Sequence, residues 1–141
     1  MILKNELRLG NWVKTEYKEI GNIKITEIRE SVIYSNKTNG ISYSSLLPIQ
    51  LTEKILLKYG FIEDDFNKNG DLYLPLKNIC LDGHLDYLYV KDKSEVVKLR
   101  SIRSVEIKSL HQLQNLYFCL VGKELEIKEQ IRKLKKEYDT L

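Results

Sequence analysis

Two groups of side chains have the types and spacing needed for recognition chemistry. His111, Gln114, Asn115 and Phe118 recur at i, i+3, i+4 and i+7, so a helix would carry them on one face. Imidazole and carboxamide groups both donate and accept hydrogen bonds. With Phe118 they suit a pocket edge that meets a base or another flat polar ligand, or a partner protein. The same face also suits an internal role, in which the polar groups hydrogen-bond loops or strand ends and fix the helix on its sheet. The second group is Tyr73, Tyr87 and Tyr89 on neighbouring predicted strands, with Lys91, Lys93, Lys98, Arg100 and Arg103 nearby. Aromatic rings with basic flanks stack bases and attract phosphates, as single-stranded nucleic acid or a nucleotide requires. Tyrosine is equally a good strand former, and basic residues at strand ends are ordinary surface.

Groups for covalent or metal chemistry are sparse. The two histidines are His111 and His84, and His84 follows the hairpin dipeptide Asp82-Gly83. Without a Ser/Cys-His-Asp grouping, nucleophilic catalysis is poorly supported. Cys80 and Cys119 each sit in an apolar run and read as buried, reduced thiols; Cys119 reads as a small core residue. No CxxC or Cys/His cluster supports zinc. The acids of Glu63–Asp71 do not match a calcium loop and read as a solvated turn. Gly10, Gly21 and Gly40 are isolated, so no phosphate loop is present. Neither a cofactor nor a metal is expected.

The positioning elements follow from periodicity. Ser109–Leu125 is the clearest helix: Ser109 and Gln112 make a capping-box pattern, Leu110, Leu113, Tyr117, Leu120 and Val121 repeat at helical spacing, and Gly122 stops it. Upstream, Trp12-Val13, the alternating Ile23, Ile25 and Ile28, Val32–Tyr34, and Ile41 with Tyr43 after Asn39-Gly40 are short strands about ten residues apart. They read as a small barrel, of which the SH3-like shape is the nearest, with Trp12 in its core. Thr52–Tyr59 is a short capped helix closed by Gly60-Phe61. Leu72–Leu76, with Pro75 at an edge, then Ile79–Leu81, Leu85–Val90, Val96–Leu99 and Val105–Ile107 form a second antiparallel region. Leu125–Leu141 carries a near-heptad stripe that covers either this chain's sheet or a second copy.

Composition narrows the class. At 141 residues, with 43% hydrophobic and 30% charged, the chain is a globular domain or two small units on a shared core. Net charge is only +3, from 23 basic and 20 acidic residues, so no global basic excess marks a nucleic-acid binder. Residues 1–9 lack an apolar signal core and no run spans a membrane, so the expected place is the cytoplasm.

Three stretches, NELRLGNWV (5–13), LPIQLTEKILLKYGF (47–61) and IKSLHQLQNLYF (107–118) with GKELEI (122–127), stand in this order. On them the chain resembles, over nearly its whole length, a family of small uncharacterised proteins of gut-bacterial phages and mobile elements. The HQLQNLYF helix with the following GxELEI is the more specific part. The resemblance implies a phage or mobile-element protein acting inside a bacterial cell, and carries over no catalytic residue.

The expected fold is α+β: an N-terminal SH3-like small β-barrel (1–50), then a linking helix and a small antiparallel sheet packed by the motif helix and a C-terminal amphipathic helix (51–141). The expected function is a non-enzymatic binding protein that engages a host protein or sequesters a nucleotide-type ligand, in host takeover or counter-defence. The alternatives are nucleic-acid binding on the Tyr/Lys surface, and a virion structural or assembly role with homo-oligomer contacts through Leu125–Leu141.

Overall fold

The computed structural model describes residues 2–63, 71–79, 83–91 and 94–128. Cys80, Lys93, most of the acidic loop and the C-terminal stripe beyond 128 lie outside them. The fold is α+β, with two five-stranded antiparallel sheets and two α-helices among the described residues. The chain divides into two compact units, Met1–Gln50 with Lys108–Leu116, and Leu51–Ile107 with Tyr117–Leu141. The sequence reading divides the chain once, near residue 50; in the structure a later segment, Lys108–Leu116, returns to the first unit.

The first unit holds β1 (Trp12–Thr15), β2 (Asn22–Ile28), β3 (Val32–Ser35), β4 (Ile41–Ser42) and β5 (Leu46–Leu47), in the order β4-β3-β2-β1-β5. Only the three residues Tyr43–Ser45, a 3-10 turn, join the two outer strands β4 and β5. Three residues span at most about 11 Å, so the sheet must curl to bring its edges near each other. No ladder joins β4 to β5 among the described residues, so hydrogen bonding does not close a barrel.

Ile23 and Ile25 alternate into the core as period two demands. A bulge between Ile25 and Glu27 then shifts the phase by one, which turns Ile28 rather than Glu27 toward the core. Val13, not Trp12, is the fully buried residue of β1; Trp12 is half-buried, which corrects its expected place in the core.

The second unit begins with α1 (Glu53–Lys58). Thr52 Oγ1 accepts the Ile55 N–H at 3.3 Å. At the other end Gly60 takes φ +97°, and the Gly60 and Phe61 N–H groups donate to Leu57 O and Leu56 O. This is the two-bond left-handed stop that Gly-Phe promised. The sheet then runs β10 (Glu106–Ile107), β9 (Val97–Leu99), β8 (Leu85–Val90), β7 (Leu72–Ile79) and β6 (Ile62–Glu63). β6 pairs with Leu72 and Tyr73 of β7, and Pro75 lies opposite Tyr87 of β8. Leu72, Leu76, Leu88, Val90, Val97 and Leu99 are the buried face. The second helix, α2 (Leu110–Val121), ends at Gly122, whose N–H donates to Phe118 O with φ +78°.

Candidate binding groove

Alternation along β8 sorts its residues cleanly. Asp86, Leu88 and Val90 point inward, while Leu85, Tyr87 and Tyr89 point outward. Antiparallel register extends that outward row across the sheet. Tyr73 of β7 lies opposite Tyr89, and Tyr89 lies opposite Lys98 of β9. The Tyr87 and Tyr89 rings meet edge to face, with centroids 5.8 Å apart and planes at 61°. Lys91 Nζ is 5.8 Å from the Tyr89 ring centre and Arg100 Cζ is 6.0 Å from that of Tyr87.

These side chains line one open groove of about 790 Å³, together with Arg103 and Asp71. Among the described lining residues four cations face one carboxylate, so phosphate is favoured over a cationic ligand. The aromatic trio expected from the sequence is therefore brought together, with Lys91, Lys98, Arg100 and Arg103 around it. Lys93 falls outside the described residues.

One residue that the sequence reading passed over sets the basic flank. Asp86 is 5% exposed, an acid on the buried face of a strand. Its Oδ1 accepts the N–H groups of Tyr87 at 2.9 Å and Ser101 at 3.1 Å, and its Oδ2 accepts the Ser101 hydroxyl at 2.5 Å. The Arg100 N–H donates to Tyr87 O at 3.0 Å. Thus Asp86 ties the Arg100–Ser101 segment to β8, and with it the guanidinium beside Tyr87. The signal was present: an aspartate in phase with Leu88 and Val90 must find donors inside the fold.

The polar face of α2 is placed quite differently. His111 and Gln114 are 1% and 3% exposed. Gln114 Oε1 accepts the Trp12 N–H at 2.8 Å, and Gln114 Nε2 donates to Gly10 O at 3.2 Å, so the amide acts as a neighbouring strand would. Asn115 Nδ2 donates to Glu6 O at 2.6 Å, while its Oδ1 accepts from Asn11 Nδ2 at 2.8 Å and Arg8 Nε at 3.3 Å. His111 Nδ1 lies 3.3 Å from Ser109 Oγ, and Nε2 lies 3.5 Å from Glu6 Oε2. Burial holds the His111 pKa below 6.5, against the partial pull of Glu6. Every buried side-chain polar atom among the described residues has a partner. Of the two roles open to His111, Gln114 and Asn115, the geometry displays the internal one: they latch α2 to residues 6–12.

The remaining candidates are scattered. Phe118 is exposed on α2 but does not line the groove. Cys119 is also exposed, which corrects its expected burial: on the helix it sits five residues beyond Gln114, on the outward side. His84 is exposed beside Gly83. Among the described residues no three His, Cys, Asp or Glu side chains gather as metal ligands, and no helix is long and apolar enough to cross a membrane.

The chain matches no protein-family profile, no curated protein and no solved structure.

Proposed function

We propose that this chain is a non-enzymatic binding protein that holds a nucleotide-type ligand in the tyrosine groove of its second sheet. The observation that carries the reading is the register: Tyr73, Tyr89 and Lys98 lie directly opposite one another on three adjacent strands, with Tyr87 and Arg100 beside them. A flat ring stacks on tyrosine, and the attached phosphate meets Lys98, Arg100 or Arg103. The groove volume of about 790 Å³ lies in the range of small-ligand sites. The described lining offers tyrosine rings and cationic side chains, groups suited to gripping a flat anion.

Two coarser parts of the reading rest on other support. The five-strand order and the three-residue link between the edge strands favour an SH3-like curl for the first unit. The motifs at 5–13 and 107–118 favour a phage or mobile-element origin, hence work in the bacterial cytoplasm in host takeover or counter-defence. In the structure these two stretches are each other's hydrogen-bonding partners.

The test is a fluorescence titration of the purified chain with nucleoside monophosphates and short oligonucleotides at low salt. At least one is expected to bind, and Tyr87→Ala is expected to weaken it about tenfold, the loss of one stacked ring. Saturable binding to none of them at millimolar concentration would reject the reading, and release of phosphate or base would reject its non-enzymatic part.

A further inference from the structure

The groove contains the same pair of groups twice. Tyr89 and Lys98 face each other across β8 and β9. Two residues back along β8 is Tyr87; two residues forward along β9, past its last ladder residue, is Arg100. The bond from Arg100 N–H to Tyr87 O, at 3.0 Å, keeps those two opposite each other. Each rung therefore sets an aromatic ring beside a cation, and the rungs are about 6.6 Å apart, two strand residues.

The edge-to-face angle of 61° between Tyr87 and Tyr89 means the two rings present separate faces, not one continuous slab. Tyr73 flanks the second rung from β7. A mononucleotide would use one rung and leave its twin empty. An extended single strand repeats base and phosphate on a comparable spacing and would fill both.

Building on the nucleotide-binding reading, we propose that the groove takes single-stranded nucleic acid, with two consecutive nucleotides lying along β8 and β9. The bases sit on Tyr87 and on Tyr89 with Tyr73, and the phosphates lie toward Arg100 and Lys98. An arginine carries five N–H donors, so Arg100 can hold a phosphate while it keeps its contacts within the protein. Asp71 and Lys91 stand next beyond the Leu72–Val90 pair, so the Asp71 carboxylate is at the end of the groove and away from the Arg100 rung. Stacking and phosphate contacts carry little base identity, so the groove is tolerant of sequence.

The test is a length series on the full chain: thymidine 5′-monophosphate, the dinucleotide pTpT, hexathymidylate and hexauridylate. The dinucleotide is expected to bind at least tenfold more tightly than the monophosphate, and the hexamer only a few-fold more tightly again. Log affinity for pTpT should fall against log salt with a slope of about −1.4, for two neutralised phosphates, and Lys98→Gln or Arg100→Gln should each halve it. Tyr87→Phe should keep the binding that Tyr87→Ala loses, with circular dichroism showing both variants folded.

Tighter binding of hexathymidylate assigns DNA, and tighter binding of hexauridylate assigns RNA; either supports the inference. Equal affinity for monophosphate and dinucleotide, with Tyr87→Ala still damaging, overturns the two-nucleotide inference and leaves the nucleotide-binding reading standing. No binding by any of the four overturns the two-nucleotide inference, and the nucleotide-binding reading falls with it if the remaining nucleoside monophosphates fail to bind as well.

Discussion

Asn115 and Tyr87 illustrate how differently two recognition-type side chains can be used. The Asn115 carboxamide serves Glu6, Asn11 and Arg8 at once, and Asn11 is fully buried. Asn115→Ala leaves the Asn11 amide and the Glu6 carbonyl without this partner, so it should destabilise the fold by about 1–3 kcal/mol. Urea denaturation measures this as a lower midpoint with unchanged slope. Tyr87 is more than one-third exposed on the sheet's outer face, and Tyr87→Ala should move that midpoint little. The spacing of His111, Gln114 and Asn115 was legible in the sequence, and so were both uses open to it. What decides between them is a long-range fact: the Glu6 and Gly10 carbonyls and the Trp12 N–H, some hundred positions upstream, are the groups these amides meet. Periodicity within a helix carries no trace of that.

Strands and turns explain why the groove was more legible than the latch. Alternation along Leu85–Val90 already places Tyr87 and Tyr89 on one face, and local rules also set both ends of α1. The register that lines Tyr73 up with Tyr89 and Lys98 depends on turn lengths and could not be read in advance. β6 went unseen because two residues make no period. Asp86 belongs to this scale, since its carboxylate joins β8 to the segment after β9. Asp86→Ala should remove the acceptor of the Ser101 N–H and hydroxyl, lower stability by about 1–3 kcal/mol and weaken ligand binding through a displaced Arg100. Ser101→Ala is the milder control, because the backbone N–H of residue 101 keeps its bond to Asp86. An unchanged affinity in Asp86→Ala would show that Arg100 is positioned by other contacts.

Across the whole molecule the net charge of +3 says little, because 23 basic and 20 acidic residues nearly cancel; the groove is distinctive because its described lining gathers four cations against one carboxylate. Stability, in contrast, should respond to pH through His111. Its folded pKa is held below 6.5, so the unfolded chain binds the proton more readily. Above 6.5 both states are neutral and the group is silent. As pH falls below it, the unfolded state gains, and stability should drop until the folded pKa is passed. A urea midpoint lower at pH 5.5 than at pH 7.5, by a margin that shrinks in His111→Asn, would verify this. Where the molecule grips its ligand is tested most directly by backbone amide chemical shifts recorded as hexathymidylate is added. Shifts should gather at Tyr73, Tyr87, Tyr89, Lys98 and Arg100 and leave residues 6–12 and 111–115 in place. Shifts gathered instead on those two stretches, or none at all, would contradict a tyrosine groove as the binding site.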